Sequence, residues 1–493
     1  MHFFWWSVAF TLWTAVSAFN VTLPSNGSLY QPATTSRNLQ LKGVALGGWL
    51  VLEPYITPSL FLAFNATNGT EADIPVDEYH YCKALGPTEA KKRLRKHWDG
   101  FYNESDFETI KSYGLNMVRI PIGYWAFQRL DSDPYVAGAA EYLDKAISWA
   151  YKNDLKVWVD LHGVPGSQNG FDNSGYRDIG YPGWFNHTEN VNVTYAVLQQ
   201  IYAKYGGSHI ASQYPDTVIG IEVVNEPYSP KISMKKIETF YRNTYADARR
   251  IQKVNNTIVF HDAFKSAGYF DDFMTFAATS NTSNRTTQNY NIMIDHHHYE
   301  VFDSGALNLT VAGHISNIKG YSEGIHDELD SHPAVVGEWS AALTDCAPWL
   351  NGVGIGTRWE GTSPYTNDAI GKCDDVNDFS AWSDDRKKNY RKFIEIQLDQ
   401  YESQTSGWIF WCFKTETSIE WDLSRLVDLE LFPQPLDDRE YIVNGTDTDP
   451  DARDADDDGP AGKESGAGCV TASVMAVVMA VNDGRTEEKE PRN

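Results

Sequence analysis

Basic residues are scarce in this chain, and their scarcity excludes two classes of partner. The 493 residues contain 41 Lys and Arg against 66 Asp and Glu, which gives a formal net charge of −25. Nucleic acid and anionic membrane surfaces both repel a protein with this charge. We therefore expect neither of them as a partner, and we expect the protein to be a monomer.

Long hydrophobic runs are also missing. The apolar segments at residues 3–16 and 469–481 are each too short to cross a bilayer, so we expect no membrane span in the mature chain. The first segment ends at Val16-Ser17-Ala18, a small-residue cleavage site, and predicts a signal peptide over residues 1–18. The second precedes a charged end, which is unlike a lipid-anchor signal.

Cysteine is rare as well. The five cysteines, whose odd number leaves at least one thiol unpaired or paired between chains, are Cys82, Cys346, Cys373, Cys412 and Cys469. Their spacing matches no metal-ligand pattern. The run from His296 to Tyr299 is a poor zinc set too, because side chains alternate along a strand and only His297 and Tyr299 share a face. We expect no metal and no other cofactor.

Glycosylation motifs, in contrast, are abundant. The asparagines that begin Asn-x-Ser/Thr are Asn20, Asn26, Asn65, Asn68, Asn103, Asn186, Asn192, Asn255, Asn281, Asn284, Asn308 and Asn444. Such density is typical of a secreted chain, and we expect an extracellular or cell-wall protein.

Short apolar runs alternate with helix-periodic segments, a pattern typical of a parallel α/β fold. The expected strands lie near residues 40–46, 115–120, 155–161, 218–224, 257–261, 291–295, 334–338 and 408–412. Eight such units predict a (β/α)₈ TIM barrel, formed by a single catalytic domain over residues 39–445. Long loops follow three strands, at 47–100, 162–190 and 339–385. Ser105-x-x-Glu108 reads as a capping box that begins a helix.

The two flanks of this domain differ from it in composition. Residues 19–38 are polar and predict a flexible lead-in. Residues 446–493 begin with an acidic run and continue with small residues, which predicts a disordered low-complexity tail.

Two glutamates stand at or just beyond the ends of expected strands, Glu226 in Asn225-Glu-Pro227 and Glu338 in Gly337-Glu-Trp339. Active sites of TIM barrels lie at these strand ends. Retaining cleavage of a glycosidic bond needs two carboxyl groups about 5–5.5 Å apart. Glu226 suits the protonated acid/base, and Glu338 suits an ionised nucleophile held by Arg119 and Tyr299. The 16 tryptophans include candidates for sugar-stacking platforms.

Longer motifs carry a resemblance. They are Leu46-Gly-Gly-Trp-Leu-Val-Leu-Glu-Pro-Tyr55, Val118-Arg-Ile-Pro-Ile-Gly-Tyr-Trp125, Asp160-Leu-His-Gly163, Pro165-Gly-Ser-Gln-Asn-Gly-Phe-Asp-Asn-Ser-Gly175, Gly337-Glu-Trp-Ser-Ala-Ala-Leu-Thr-Asp-Cys346 and Leu431-Phe-Pro-Gln-Pro435. Over about residues 40–440 the chain resembles glycoside hydrolase family 5, and within it the fungal secreted exo-β-1,3-glucanases (glucan 1,3-β-glucosidases).

This resemblance implies a retaining enzyme that releases glucose from the non-reducing ends of β-1,3-glucan, with Glu226 as proton donor and Glu338 as nucleophile. The implied substrate-binding residues are Glu53, Arg119, His162, Phe171, Asp172, Asn225, His297, Tyr299, Phe302 and Trp411. By the same resemblance Glu53 grips the terminal glucose, Phe171 and Phe302 clamp the next sugar, and Trp411 stacks under the reacting one. A disulfide between Cys346 and Cys373 is implied as well.

Departures from the family pattern leave alternatives open. The cysteines of a second family disulfide, which ties the C-terminus to the barrel, are absent, and Cys412-Phe413 stands where the family tends to have Ser-Trp. The alternatives are an endo-acting or β-1,6-directed glucanase, a transglycosylase, and a non-catalytic glucan-binding wall protein.

Overall fold

The computed structural model describes residues 40–64, 71–178, 181–274, 291–366, 368–444 and 446–448. The expected signal peptide, the flexible lead-in and most of the acidic tail lie outside these residues. Across the described ranges, no helix combines the length and the apolar character needed to cross a bilayer.

Eight parallel strands close into a barrel in which each strand pairs with its neighbours in sequence. They are β1 (Leu41–Ala45), β2 (Met117–Gly123), β3 (Lys156–Gly163), β4 (Val218–Glu222), β5 (Thr257–His261), β6 (Ile292–His297), β7 (Ala334–Trp339) and β8 (Gly407–Phe410). Pairing of Leu41 with Gly407 closes the ring between β1 and β8. The (β/α)₈ barrel expected from the sequence is confirmed.

Helices connect the strands and cover the barrel. Those in the described ranges are α1 (Pro58–Leu62), α2 (Glu78–Gly100), α3 (Glu104–Ser112), α4 (Ala139–Lys152), α5 (Thr188–Ile201), α6 (Ser208–Gln213), α7 (Met234–Ala246), α8 (Ser304–Leu307), α9 (Val311–Glu328), α10 (Asp384–Gln404) and α11 (Leu423–Asp428). Every residue of β2 and of β7 is buried, because the helices cover the outer face of the barrel while side chains fill its interior.

The start of α3 corrects one expectation. The capping box uses Asn103 and Asp106, not Ser105 and Glu108. The Asn103 side chain accepts a hydrogen bond from the Ser105 backbone N–H at 2.9 Å, and Asp106 accepts one from the Asn103 backbone N–H at 2.7 Å. Asn103 and Asp106 have the same three-residue spacing two residues earlier, so they begin the helix first.

The C-terminal end of the folded chain is held without the second disulfide. Glu395 on α10 accepts backbone N–H bonds from Glu440, Tyr441 and Ile442, at 2.7 to 2.9 Å. A short hairpin of β9 (Ile442–Val443) and β10 (Thr446–Asp447) follows. The described part of the expected tail, residues 446–448, thus lies next to this anchored segment.

A buried ion pair fastens the outer side of β6. His296 lies between Asp262, 2.9 Å away, and Glu328 on α9, 2.7 Å away. Burial acts to lower the pKa of His296, but hydrogen bonds to these two carboxylates outweigh it and raise the pKa to about 10. Because this value exceeds the unfolded value of about 6.5, the stabilisation is complete below about pH 6.5. It is lost as the pH rises through the folded-state pKa of about 10.

We predict that His296→Gln lowers the free energy of unfolding at pH 7 by about 3–5 kcal/mol, because it leaves two buried carboxylates without their cation. The wild-type protein should lose stability between pH 7 and 10, and the variant should lose less. Urea unfolding at several pH values measures both. The control is His187→Gln at an exposed position, which should not alter the pH dependence. A wild-type protein equally stable at pH 7 and 10 would contradict the assignment.

Candidate active site

A cavity opens at the C-terminal ends of the barrel strands. Its lining residues are Glu53, Tyr55, Phe171, Asp172, Asn173, Arg177, Glu226, Tyr299, Phe302, Glu338, Leu350, Asn351, Arg358, Tyr365, Trp411 and Trp421. Eight of the twelve site residues expected from the sequence lie in this wall. The other four, Arg119, His162, Asn225 and His297, lie behind it in contact with wall residues or with one another.

Arg119, on β2, is the fully buried cation of the site. Its Nη1 donates to Glu338 at 2.5 Å, and its Nε donates to Glu222 at 2.8 Å. Its Nη2 donates to the side-chain amide oxygen of Asn225 at 2.8 Å and lies 3.2 Å from Asp160 Oδ2. One guanidinium thereby joins β2 to residues on or just beyond β3, β4 and β7, because its planar fork offers several donors in fixed directions.

Glu338 lies within β7, where its carboxylate reaches the cavity. Besides the Arg119 contact, it accepts a hydrogen bond from the Tyr299 hydroxyl at 2.8 Å. Both partners were expected from the sequence. Together they orient each oxygen of Glu338, so that the carboxylate has a fixed direction towards the cavity.

Glu226 follows β4 in the loop that Asn225 begins. Its φ of +46° is in the left-handed region, so the neighbouring contacts must hold the backbone in this conformation. The Asn173 amide donates to one carboxylate oxygen at 2.9 Å, and His297 Nδ1 lies 3.0 Å from the other. Asn173 is a partner that sequence reasoning missed, although it stands inside the quoted motif that ends at Gly175.

His297 connects the two glutamates. Its Nδ1 lies 3.0 Å from Glu226 Oε1 and 3.3 Å from Glu338 Oε2. Since both oxygens contact one nitrogen, they lie no more than about 6 Å apart, which fits the separation of about 5–5.5 Å used by retaining glycosidases. Inverting enzymes need about 6.5–9.5 Å to accommodate a water molecule.

The pKa values of Glu226 and Glu338 shift in opposite directions. Burial acts to raise the pKa of Glu226, but hydrogen bonds from His297 and Asn173 outweigh it and lower the pKa. Burial raises the pKa of Glu338, although His297 and Arg119 oppose it. Burial acts to lower the pKa of His297, yet the surrounding carboxylates raise it well above its usual range. These directions favour the imidazole as the holder of the proton between Glu226 and His297.

The floor of the cavity is Trp411, just after β8. The His162 ring stacks on it at 5.4 Å and 9° between planes, and His162 Nδ1 bonds to Asp160 at 2.6 Å. The indole N–H donates to the Tyr55 hydroxyl. The neighbouring Cys412 is a buried free thiol whose Sγ lies 3.4 Å from the Lys414 carbonyl oxygen. Trp411 is thus held by His162 and Tyr55 while its ring lines the cavity.

Two further acids line the cavity on loops. Glu53, after β1, is nearly buried, and its Oε1 has no hydrogen-bond partner among the described residues. Burial, reinforced by the neighbouring charge of Asp172, raises the pKa of Glu53 well above its usual range. Burial also raises the pKa of Asp172, to about 6, although Arg177 opposes it. Unpartnered carboxyl groups at a cavity wall are ready to bind hydroxyl groups.

Phe171 and Phe302 stand on different loops. Phe171 contacts Tyr228 at a ring distance of 5.4 Å, and Phe302 contacts Tyr299 at 5.4 Å. Both rings line the cavity, as expected, and provide apolar surface next to the carboxylates.

The loop after β7 supplies wall residues that sequence reasoning missed: Leu350, Asn351, Arg358 and Tyr365. Asp345 holds this loop by accepting bonds from the backbone N–H groups of Arg358 and Trp359, at 2.7 and 2.9 Å. The disulfide between Cys346 and Cys373 closes it, as the resemblance implied. No periodic pattern in the sequence marks these loop residues, and only their folded positions bring them to the cavity.

Two groups of three side chains bring potential metal ligands within 4.8 Å of one another: Glu226 with His261 and His297, and Glu222 with Asp295 and His297. Arg119 already neutralises Glu222, and His297 already contacts Glu226. Both groups are therefore better explained as parts of one hydrogen-bonded charge network than as metal-ligand sets.

Comparison with known proteins agrees with this geometry. A family model described as cellulase (glycosyl hydrolase family 5) matches residues 83–350. Glucan 1,3-beta-glucosidase 2 of Candida albicans is 55% identical over 444 residues, which cover 88% of this chain and 91% of that protein. Glucan 1,3-beta-glucosidase I/II of Saccharomyces cerevisiae is 49% identical over 421 residues, covering 84% and 88%. The chain belongs to glycosyl hydrolase family 5.

The fold agrees with this family as well. The rutinosidase from Aspergillus niger superimposes with a TM-score of 0.59 at 19% identity, and the match covers 80% of this chain and 99% of that one. At this identity the likeness shows the barrel fold alone. As a family 5 member, the chain is a glycoside hydrolase.

We predict that the double change of Cys346→Ser and Cys373→Ser lowers the free energy of unfolding by about 2–4 kcal/mol, since the closed loop gains freedom in the unfolded chain. Limited proteolysis should then cut within residues 347–372 faster than in the wild-type protein. Cys82→Ala, which leaves the disulfide intact, is the control and should not speed cleavage there. Unchanged loop cleavage in the double variant would show that Asp345 alone holds the loop.

Proposed function

We propose that this family 5 enzyme is a retaining exo-β-1,3-glucanase that releases glucose from the non-reducing ends of β-1,3-glucan. The main observation is one cavity in which Glu226 and Glu338 share contacts with His297, within the separation that retention requires. The names of its relatives, glucan 1,3-beta-glucosidases at 45–55% identity, support the linkage and the substrate class.

In the first step, the Glu338 carboxylate attacks the anomeric carbon as the glycosidic bond breaks, and the bonding electron pair goes to the leaving oxygen. Glu226 transfers a proton to that oxygen. Arg119 and Tyr299 hold Glu338 in line for attack through their hydrogen bonds at 2.5 and 2.8 Å. The product is a glucosyl ester of Glu338.

In the second step, the Glu226 carboxylate takes a proton from water, and the water oxygen attacks the same carbon. The ester bond to Glu338 breaks and returns its electron pair to the carboxylate. Two inversions leave the β-configuration in the released glucose. His297 Nδ1, 3.0 Å from Glu226 Oε1, lies where it can exchange a proton with Glu226.

Exo action is inferred from the first loop. Glu53 offers an unpartnered carboxyl oxygen at the cavity wall, and Asp172 lies near enough to raise its pKa. We infer that Glu53 binds the hydroxyl groups of the terminal glucose, that Trp411 stacks under the reacting sugar, and that Phe171 and Phe302 hold the next one. An internal stretch of glucan lacks the chain end that Glu53 would bind.

We also infer that the enzyme is secreted and acts on wall glucan. The expected signal peptide lies outside the described residues, but six of the sequon asparagines lie within them. All six are exposed at the surface: Asn103, Asn186, Asn192, Asn255, Asn308 and Asn444. Exposure is what attachment of a glycan requires.

The two glutamates should be distinguishable by rescue with azide. Glu338→Gly and Glu226→Gly should each lower the turnover of a dinitrophenyl β-glucoside, the former by at least about a thousandfold. With azide, Glu338→Gly should form the α-glucosyl azide, because azide replaces the nucleophile. Glu226→Gly should form the β-azide, because azide attacks the ester intermediate instead of activated water. NMR of the products measures the configuration.

The control for these variants is Glu402→Gln, at a half-buried position that bonds to Arg439 away from the cavity. It should keep wild-type turnover. If both azides had the same configuration, or if Glu338→Gly retained full activity, the assigned roles would be wrong.

A product time course on linear β-1,3-glucan tests exo action. The wild-type enzyme should release β-glucose from the first minutes, whereas an early ladder of oligosaccharides would indicate an endo-acting enzyme. Glu53→Ala should raise KM by about two- to tenfold, since a hydrogen bond contributes about 0.5–1.5 kcal/mol. Glu416→Ala, on a carboxylate that bonds to Ser59 at the surface, is the matched control. Rapid release of glucose from β-1,6-glucan and slow release from β-1,3-glucan would overturn the proposed linkage.

A further inference from the structure

Asp295 is a buried acid directly behind the catalytic histidine, and the mechanism above leaves it unused. It lies on β6 two residues before His297, so both side chains point into the barrel. Its side chain is fully buried, and neither carboxylate oxygen has a hydrogen-bond partner among the described residues. Such a group is costly unless a nearby charge stabilises it.

The adjacent strand is shaped around this carboxylate. Gly337, on β7 next to Glu338, lies so close that a Cβ there would be 1.9 Å from Asp295 Oδ1. Any other residue at position 337 would displace the carboxylate or the strand. Because Gly337 has no side chain, the Asp295 carboxylate fits between β6 and β7 next to His297.

The carboxylate of Asp295 lies at ion-pair distance from the ring of His297. Asp295 Oδ2 lies 3.5 Å from His297 Nε2, while His297 Nδ1, on the other side of the ring, contacts Glu226 and Glu338. The imidazole thus lies between one buried carboxylate and the catalytic pair. The proton of each ring nitrogen is set by what the opposite nitrogen contacts.

Other charged and titratable groups surround this contact. Asp262, just after β5, interacts electrostatically with His297, and Tyr241 on α7 and Tyr321 on α9 interact with Asp295. His261 on β5 packs edge-on against His297 at 4.3 Å between ring centres. Arg119 on β2 and Glu222 on β4 form their own ion pair at 2.8 Å, and both are close enough to influence Asp295 electrostatically. Since Arg119 is engaged by Glu222, Glu338 and Asn225, it does not bond to Asp295 directly.

We propose that Asp295 is a positioning residue: it keeps a proton on His297 Nε2, and so confines the exchangeable proton of the site to the contact between His297 Nδ1 and Glu226. This inference rests on the proposed function. With Nε2 always protonated, Nδ1 donates to the Glu226 carboxylate when the imidazole is cationic, and accepts from the Glu226 carboxyl when it is neutral.

The proposal gives a balanced path for the proton. Before bond cleavage, the proton moves from His297 Nδ1 to Glu226 Oε1, and Glu226 then passes it to the leaving oxygen. After cleavage the imidazole is neutral and Glu226 is a carboxylate. Glu226 next takes a proton from the attacking water, and this proton returns to Nδ1. One proton leaves the pair and one returns in each cycle.

The test is the pH profile of kcat/KM for Asp295→Asn on an aryl β-glucoside. Loss of the negative charge weakens proton binding by His297, so the pair loses its proton at lower pH. The alkaline limb should therefore move down by about one pH unit or more, the usual effect of an opposite charge at this range. The control is Glu402→Gln, which removes a carboxylate that bonds to Arg439 away from the cavity. It should leave both limbs in place.

A fall in activity that is equal at all pH values, with no movement of the limb, would show a merely structural role and overturn the proposal. Nitrogen-15 NMR of histidine-labelled wild-type enzyme gives a second measurement. The signal of His297, assigned by its loss in His297→Gln, should show a cation at pH 7 with a proton on Nε2. A neutral ring, or a ring protonated on Nδ1 alone, overturns the proposal even if Asp295→Asn does not fold.

Wild-type activity on β-1,3-glucan separates this inference from the proposed function. An inactive wild-type enzyme contradicts the proposed function. An active enzyme with an unmoved limb in Asp295→Asn contradicts only the role of Asp295.

Discussion

The site depends on one buried cation. Arg119 contacts Glu222, Glu338, Asn225 and Asp160, and these residues come from different strands of the barrel. Buried carboxylates are unfavourable without a counter-charge, so the guanidinium makes this acidic interior stable as well as ordered. The direction of Glu338, and the start of the loop that holds Glu226 after Asn225, both follow from its fixed donor geometry.

The three consecutive histidines of β6 show how strand alternation separates structure from chemistry. His296 and His298 point outward to Glu328 and Glu300, where they fasten helices and loops around the strand. His297 points inward to Glu226 and Glu338. Burial acts to raise the pKa of Glu300, yet hydrogen bonds from His298 and His314 lower it to about 2. Outside the barrel, the carboxylates beside His296 and His298 stabilise the fold. Inside the barrel, we propose that the carboxylate beside His297 fixes the position of its proton.

Specificity depends on parts of the chain that follow the strands. Glu53 stands on the first of these loops, Phe171 on the third, and Arg358 on the loop that the disulfide of Cys346 closes. None of these loops is held by strand pairing. Asp345 and the disulfide fix the last one, and the carboxylate of Glu78 accepts a bond from the Leu52 backbone at 2.9 Å to fix the first. We therefore propose that the barrel supplies the reacting carboxyl groups and that the loops select the substrate.

The sequence by itself determined the eight strands and the two glutamates, because alternation of apolar runs with helical periods and strong motifs such as Asn225-Glu226-Pro227 are local properties of the chain. It also predicted Arg119 and Tyr299 as the neighbours of Glu338. It misplaced the start of α3, where two overlapping capping patterns compete. Only the tertiary structure decided the direction of the pKa shift of Glu226, because this shift depends on contacts with His297 and Asn173. It alone also placed Asp295 against Gly337, since charge and contact between residues distant in sequence exist only after the barrel closes.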